Sequence, residues 1–223
     1  MIFKNSQQDI DFSKYIPLNF TKIGIKLSGG ADSAIVCYML AKYVIAERSD
    51  ITIYPITGIA EGKEYQKIFA ERVMSKVTEL TGIQFGTHYC ATVRTDTSPN
   101  YSLDQDTLVN SLYKNKLIDM HVAGITSNPT EDEAPSLYED VSLMPSDDRS
   151  KTTNFRELVS GKSFRPLFNI DKRGVAEFYT TLGVLDELFP VTRSCEEYTN
   201  DFTVHCGRCW FCQERKWGFG RLI

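Results

Sequence analysis

The chain has 223 residues, 42% of them hydrophobic, and a formal net charge of −4. This length and composition predict one soluble domain with an appendage rather than two domains. The Lys and Arg residues are scattered and form no basic patch, so no nucleic-acid partner is expected. Because the sequence has no signal peptide and no apolar run of about 18 residues, we expect no membrane contact and a cytoplasmic location.

A strand, a tight loop and a helix are predicted after a lead-in, residues 1–21, that has no clear periodicity. Apolar residues alternate through Ile23, Ile25 and Leu27, which is typical of a strand. A helical pattern over Asp32–Ala46 follows almost at once. The segment that joins them, Ser28–Ser33, reads Ser-Gly-Gly-Ala-Asp-Ser.

This loop has the features of an anion-binding site. Its adjacent glycines allow a sharp turn and a close approach to a ligand. Ser28 and Ser33 add hydroxyl groups, and the first amides of the helix have no partner within it, so we expect a phosphate or pyrophosphate there. The loop lacks the Lys-Ser/Thr ending of a Walker loop and the third glycine of a dinucleotide fingerprint. The alternative is an ordinary turn in which Asp32 or Ser33 caps the helix.

Strands and helices continue to alternate, which predicts an α/β fold with a doubly wound, mostly parallel sheet. In such sheets ligands bind beyond the carboxyl ends of the strands, so the loops at 28–33, 57–62, 94–102 and 124–128 are candidates. Pro55 indicates an edge position or a bulge. Cys37 and Cys90 are predicted to be buried small hydrophobes. The remaining predicted elements are strands Ile51–Thr57, Phe85–Val93 and Leu117–Ala123, and helices Lys63–Thr81 and Asp104–Lys116.

The pattern is interrupted by the irregular segment 125–164, which contains prolines and acidic residues. Such a stretch indicates a substrate lid or a solvated insertion. Arg149 and Arg156 are the basic groups that it offers to a carboxylate or phosphate. We therefore divide the chain into a nucleotide-binding core (1–124), this insertion (125–164) and a C-terminal helical segment (165–223).

Four cysteines crowd into the C-terminal segment: Cys195, Cys206, Cys209 and Cys212. Thiolates at such short spacings converge on one ion, and four of them close a tetrahedral, structural zinc site. His205 is a candidate to replace one thiol, and the alternative, which we favour, is an ordinary surface histidine. An iron–sulfur cluster is the main alternative, because such clusters also use CxxCxxC runs, and free thiols are a third.

The loop Ser28–Ser33 resembles the SGGxDS loop of the PP-loop ATP pyrophosphatases, which bind ATP, adenylate a substrate oxygen and release pyrophosphate. The C-terminal half resembles one of these families, 7-cyano-7-deazaguanine synthase (QueC). The similar stretches cover about two thirds of the chain with the loop and are Pro166-Leu167, Asp171-Lys172, Leu182-Gly183-Val184, Thr192–Cys195 and Cys206–Arg215. The middle differs: Gly124–Asn128 stands for a glycine-containing loop of the family, but residues 129–144 do not reproduce its substrate-binding block.

The resemblance implies roles for individual residues. The phosphates of ATP, with Mg²⁺, would bind Ser28, Gly29, Gly30, Ala31, Asp32 and Ser33. Adenine would lie at Thr57 and Gly58, and Asp32, Ser33 and Lys172 would be catalytic. For Lys172 the alternative is an exposed residue of a first helical turn.

The implied reaction converts 7-carboxy-7-deazaguanine to 7-cyano-7-deazaguanine with ammonia, in a zinc-containing homodimer. Because the middle of the chain differs from the family, a related reaction stays open, in which an activated deazapurine or another carboxylate joins a different amine or a macromolecule. A second alternative is a non-catalytic zinc module that binds nucleic acid or protein through Trp210, Phe211 and Trp217.

Overall fold

The structure is a computed structural model that describes residues 1–93, 101–130, 132–133, 156–196 and 204–223, with the backbone alone for 101–105. Arg149, residues 94–100 of the predicted third loop and most of the predicted insertion lie outside the described residues. The strands are β1 (Ile2–Phe3), β2 (Ile10–Asp11), β3 (Lys22–Lys26), β4 (Thr52–Ala60), β5 (Tyr89–Val93), β6 (Met120–Ala123), β7 (Val159–Ser160) and β8 (Ser163–Phe164). The helices are α1 (Ala31–Glu47), α2 (Tyr65–Thr81), α3 (Tyr101–Lys114), α4 (Lys172–Thr181), α5 (Leu185–Leu188) and α6 (Trp210–Phe219), and single 3₁₀ turns occupy Phe12–Lys14 and Phe189–Val191.

Six of these strands form a mostly parallel sheet in the order β5-β4-β3-β6-β8-β7, in which only β7 is antiparallel to its neighbour. The chain moves outward from β3 through β4 to β5 and then returns to the other side of β3 as β6. The direction of winding therefore reverses between β3 and β6. In open α/β sheets this switch point is where a crevice forms at the carboxyl ends of the strands.

Helices cover both faces of the sheet, as the alternation of elements predicted. On one face α1, α2 and α4 pack against side chains such as Ile23, Ile25 and Ile53. On the other face α3 packs through Val109 and Leu112 against Ile56 and Ile118. Helix α1 is buried along most of its length, which explains its lack of a polar stripe. The doubly wound fold is confirmed.

The end of α2 is a boundary that the sequence predicted well. Gly82 ends α2 with φ of 78°, a left-handed cap that favours glycine. The strand after it begins only at Tyr89, later than the predicted Phe85.

Residues 1–21 form the antiparallel pair β1–β2 and a 3₁₀ turn, and they bury Phe3, Ile10 and Phe12 in the main core.

The prediction of a buried Cys90 is wrong, and the prediction that Pro55 lies at an edge or a bulge holds only locally. Strand β4 is internal to the sheet, between β3 and β5, and its register with β3 is continuous through the pair Ile25–Pro55. The β4–β5 pairing begins at Ile56, and the N–H groups of odd-numbered β4 residues face β5, as the bond from Glu61 N to Val93 O shows. The N–H that proline lacks therefore faces the side of β4 on which the ladder with β5 has not yet begun, as at a local edge. Cys90 is exposed, because β5 lies at the sheet edge and Cys90 is on its outward face.

No helix in the described part of the chain is both long enough and apolar enough to cross a membrane.

Candidate functional site

The loop between β3 and α1 is held in one conformation from two sides. Gly29 has φ of 81°, and a Cβ there would lie 2.5 Å from Phe69 Cβ and 2.8 Å from Ala70 N in α2. Its carbonyl oxygen accepts a hydrogen bond from Arg193 N at 2.9 Å. Positive φ and this close approach both require glycine.

The first turn of α1 is open to a ligand. Gly30 is the N-cap residue, and no side chain caps the helix. Ser33 Oγ donates to the carbonyl of Gly30 at 3.1 Å and lies 3.4 Å from Ser28 Oγ. The alternative in which Asp32 or Ser33 caps the helix is therefore wrong. Two hydroxyls and the amides of a helix N-terminus are gathered where an anion binds favourably.

A cavity of about 210 Å³ adjoins this loop at the switch point of the sheet. Its lining includes Ser28, Ser33 and the amphipathic Lys26 of β3, and its apolar part includes Ile56, Val109 and Ile125. Gly124, after β6, also lines it. A Cβ on Gly124 would lie 2.7 Å from Ser33 N, so glycine is needed for the loop after β6 to pack against the start of α1. The cavity thus combines polar groups at the loop with an apolar wall.

Thr57 and Gly58 lie side by side in β4 but have different surroundings. The hydroxyl of Thr57 donates to the carbonyl of Leu27 at 2.7 Å and lies 2.8 Å from His88 Nε2, so it supports the residue before the loop. Gly58 lines the cavity. The ladder between β3 and β4 ends at the pair Lys26–Ile56, followed by the bond from Leu27 N to Ile56 O.

This ending of the ladder leaves a polar edge in the cavity wall. Even-numbered residues of β4 direct their N–H and C=O groups toward β3, because Ile56 O bonds there and Glu61 N bonds on the opposite side. Gly58 therefore faces the side on which β3 has already ended. Neither backbone group of Gly58 has a hydrogen bond to β3 within the described residues. A donor and an acceptor are left adjacent to each other.

A buried ion network lies behind the first turn of α1. Lys172 Nζ is 2.6 Å from Asp32 Oδ2 and 3.4 Å from Glu214 Oε2, and Lys172 is 4% exposed. Burial disfavours the charged amine, but Asp32 and Glu214 together outweigh it and raise the pKa of Lys172. The alternative of an exposed Lys172 is therefore wrong. Asp32 Oδ1 is buried and has no hydrogen-bond partner among the described residues.

Local geometry explains how Lys172 reaches this position. Asp171 caps α4 by accepting from Arg173 N and Gly174 N, so Lys172 is the first helical residue. Gly218 of α6 packs directly on it, since a Cβ there would lie 2.5 Å from Lys172 Cγ. Helix α6 thereby supplies both Glu214 and the close packing that hold Lys172 beside Asp32.

The four cysteines are brought together by α6 and by the segment before it. Their Sγ atoms all lie within 4.8 Å of one another, and Cys206 Sγ is 3.9 Å from Cys212 Sγ. The Cys212 thiol donates to Cys209 and lowers the pKa of Cys209, which favours the thiolate that metals bind. His205 is outside this group, and its Nε2 accepts from Ser194 N at 3.4 Å.

Arg215 ties the two cysteine-bearing segments to each other. Its guanidinium is fully buried, lies 3.7 Å from the ring centroid of Phe189 and donates to Thr192 Oγ1 and Ser194 Oγ. It also donates to the carbonyl oxygens of Phe189 and Leu222. Burial lowers the pKa of Arg215 to about 10. Since Cys195 follows Ser194 directly, these bonds hold it near the cysteines of α6.

Arg156, predicted to offer its charge to a ligand, is engaged within the protein. Its Nη2 donates to Ser127 Oγ at 2.6 Å, and its guanidinium lies 4.2 Å from the ring centroid of Phe168. Ser127 belongs to the loop after β6. Arg156 therefore braces one of the loops that the sequence marked as a candidate.

The structure thus brings the predicted loop residues Ser28–Ser33, Gly58 and Lys172 to one region and gathers the four cysteines in another. Three residues that the sequence reading did not select belong to the first region. Lys26 and Gln66 line the cavity, and Glu214 pairs with Lys172. Only Glu214 had a sequence signal, because it lies within the cysteine-rich block that resembles the QueC family.

The fold and the site define a doubly wound α/β protein with a glycine-rich loop before the first helix of its main sheet and a four-cysteine cluster near the C-terminal helix. No family model and no curated protein matches the sequence.

Among solved structures, the chain is similar to the U34-tRNA thiolase NcsA from Methanococcus maripaludis with its [4Fe-4S] cluster. The identity is 18% and the TM-score is 0.48, and the match covers 83% of this chain and 63% of that chain. This chain therefore spans less than two thirds of the length of that protein. A likeness of this degree transfers no activity to it.

Proposed function

We propose that this protein is an ATP-dependent enzyme of the PP-loop ATP pyrophosphatase type, which adenylates an oxygen of its substrate and releases pyrophosphate. The observation that carries the proposal is the uncapped first turn of α1, with Ser28 and Ser33 beside it, at the wall of the switch-point cavity. Uncapped amides and the positive end of a helix favour phosphate groups. The residues Ser28–Ser33 would bind the phosphates of ATP.

The base would bind at Gly58. Its N–H is a donor and its C=O an acceptor on the side where β3 has ended, which matches the N1 acceptor and the N6 amino donor of adenine. Apolar side chains such as Ile56 and Val109 line the same cavity and suit the faces of a purine ring. Thr57 then acts indirectly, since its hydroxyl holds the carbonyl of Leu27 just before the loop.

In the adenylation step the substrate oxygen forms a bond to the α-phosphorus, and the bond from that phosphorus to the bridging oxygen breaks, so that pyrophosphate leaves. The contribution of the protein is positioning and neutralisation of charge. Lys172, protonated between Asp32 and Glu214, orients Asp32. Asp32 Oδ1, which is buried and has no hydrogen-bond partner among the described residues, is suited to Mg²⁺, a cation that prefers carboxylate and phosphate oxygens. When bound, Mg²⁺ would offset the charge of the phosphates.

The cysteine cluster would hold one zinc ion. A Zn–S distance of about 2.3 Å separates the sulfurs of a tetrahedral site by roughly 3.8 Å. The separation of 3.9 Å between Cys206 and Cys212 Sγ and the limit of 4.8 Å for all four sulfurs are close to this value. In a four-iron cluster each thiolate binds a different iron, which spreads the sulfurs further apart. The compact cluster therefore supports zinc in a structural role.

The substrate that we propose is 7-carboxy-7-deazaguanine. Its carboxylate would be adenylated, ammonia would displace AMP to give the amide, and a second activation would remove the amide oxygen to give the nitrile. The resemblance of the residues around Lys172 and the cysteines to the QueC family supports this choice. An adenylated carboxylate can also react with an amine other than ammonia. We include this alternative because the middle of the chain differs from the QueC family. Homodimerisation is proposed on the same resemblance.

The experiment measures pyrophosphate released from ATP and Mg²⁺ with 7-carboxy-7-deazaguanine and ammonium, while mass spectrometry follows the deazapurine. We expect release that depends on the deazapurine and a product whose mass corresponds to the nitrile. Ser33→Ala, which removes a hydroxyl from the loop, should reduce the rate, whereas Ser75→Ala on α2 should not. If ATP and zinc bind but no pyrophosphate is released, this substrate is wrong and other carboxylates with amines are the next to test.

A further inference from the structure

Gln66, in the first turn of α2, presents an unused hydrogen-bond donor to the cavity. The residue is 6% exposed and lines the cavity wall. Its Oε1 accepts from Ala60 N at 2.8 Å, which fixes the orientation of the amide, because only the oxygen can accept from an N–H. The other end of the amide, Nε2, has no hydrogen-bond partner in the described part of the chain. An amide donor at the wall of a cavity is a group that an acceptor of a ligand can match.

The position of Gln66 relative to Gly58 follows from the strand. Along the β3-facing side of β4, the bonded carbonyl of Ile56 is followed by the N–H and C=O of Gly58 and then by Ala60 N, to which Gln66 is bound. The cavity wall therefore offers three polar groups in the order donor, acceptor, donor. The third group, the amide of Gln66, is anchored beyond the carbonyl of Gly58 in the strand direction by its bond to Ala60 N.

Adenine has the complementary row on its edge: N1 accepts, the N6 amino group donates and N7 accepts. We propose that Gln66 Nε2 donates to N7 of the adenine ring and thereby makes Gln66 a specificity-determining residue for the nucleotide. Guanine has an N–H at N1 and an acceptor at O6, so two of its three groups oppose the row. The inference rests on the proposed function, because it takes ATP as the ligand of the cavity.

The test is a double-mutant cycle between residue 66 and the ring atom that it contacts. Gln66→Glu keeps an oxygen for Ala60 N and removes the donor. The ligand 7-deaza-ATP carries C–H in place of N7 and is otherwise like ATP. Dissociation constants for both nucleotides are measured by calorimetry for wild type and variant, and urea unfolding checks that the variant is folded.

We expect wild type to bind ATP roughly tenfold more tightly than 7-deaza-ATP, as for loss of a buried hydrogen bond. In Gln66→Glu this ratio should fall to one or below, because a carboxylate facing N7 has no hydrogen to donate and repels the lone pair of N7 but not a C–H group. A general effect of the added charge weakens both nucleotides alike and leaves the ratio unchanged. Gln84→Glu, the same change at an exposed position, should keep the wild-type ratio.

Two outcomes overturn the inference. If wild type binds both nucleotides equally, N7 receives no hydrogen bond. If the preference for ATP persists in Gln66→Glu, another group reads N7. Failure of the proposed function looks different, because then the wild-type protein binds neither nucleotide and releases no pyrophosphate, and the assignment of Gln66 falls with it.

Discussion

Replacement by alanine should affect the stability of the protein very differently at the two adjacent glycines of the loop, Gly29 and Gly30. In Gly29→Ala the new Cβ meets Phe69 Cβ at 2.5 Å and the backbone of Phe69 and Ala70 at 2.7 and 2.8 Å, at φ of 81°. In Gly30→Ala the nearest atoms are Ser28 Oγ at 3.4 Å and the carbonyl oxygen of Arg193 at 3.6 Å, which are ordinary contacts. The φ of Gly30 is −76°, a value that alanine adopts easily.

These geometries give the expected magnitudes. A left-handed conformation costs an alanine about 1–2 kcal/mol, and forcing a methyl group against packed backbone costs about 1–3 kcal/mol more. Gly29→Ala should therefore lower the free energy of unfolding by about 3 kcal/mol. For Gly30→Ala, the entropy lost by the unfolded chain and the weaker N-cap offset each other to within about 1 kcal/mol.

Urea unfolding monitored by far-UV circular dichroism measures both variants. With a slope of about 3 kcal/mol per molar urea, the midpoint of Gly29→Ala should fall by about 1 M while that of Gly30→Ala stays near wild type. Equal stabilities for the two variants would refute the positive φ and the close approach to α2. If folded Gly30→Ala also binds ATP more weakly, the methyl group interferes with the phosphates at the loop.

Three further predictions follow from the buried charges and the cysteines. Lys172→Met should lower the free energy of unfolding by about 3 kcal/mol, because it leaves Asp32 and Glu214 without their counter-charge. Lys4→Met, at an exposed pair with Asp9, should change it by less than about 1 kcal/mol. Equal losses in urea unfolding would show that the buried network contributes little. Burial, followed by the charges of Lys26 and Arg165, lowers the pKa of His121 to about 3. Between that value and the unfolded pKa of about 6.5 the unfolded state binds the extra proton, so this contribution to stability is present above pH 6.5 and is lost as the pH falls toward 3. His121→Gln should therefore reduce the pH slope of the unfolding free energy near pH 5 by about 1.4 kcal/mol per unit, and an unchanged slope would mean that His121 is protonated when folded. Purified wild type should carry one zinc per chain by mass spectrometry and Cys212→Ser should carry much less, whereas iron in place of zinc, with visible absorption, would contradict the zinc site.

Local sequence patterns were sufficient for the main sheet and for the loop. The apolar alternation of Ile23 and Ile25 and the glycine pair depend on neighbours in sequence, and so does the left-handed cap at Gly82. The cysteine spacing likewise predicted a cluster, because short separations limit how far the thiols can lie from one another. The structure confirms these features, and their prediction required no knowledge of contacts between residues that are distant in sequence.

Other features depend on tertiary contacts that no local pattern records. Lys172 and Asp32 are 140 residues apart in the chain, and only the packing of α6 on α4 gives Lys172 its buried position. The two-residue strands β7 and β8 are too short to have a period. Cys90 was misjudged because a sequence run does not tell which strand lies at the sheet edge.

Gln66 illustrates the same limit within the candidate site. In sequence it is one polar residue at the start of an amphipathic helix. The role that we propose for it depends on the end of β3 at Lys26, which frees the edge of β4, and on the bond of its amide to Ala60 N. The position of the loop and its hydroxyl groups could be predicted from the sequence, whereas the place of Gln66 beside the free edge of β4 could not.

The most direct test of the account follows an oxygen atom. The protein is given ATP, Mg²⁺ and ammonium with 7-carboxy-7-deazaguanine labelled with ¹⁸O in its carboxylate, and the nucleotide products are analysed by mass spectrometry. Attack of the carboxylate on the α-phosphorus predicts AMP that carries one ¹⁸O atom, together with unlabelled pyrophosphate. ADP and phosphate as products, or AMP without the label, would contradict adenylation of the substrate.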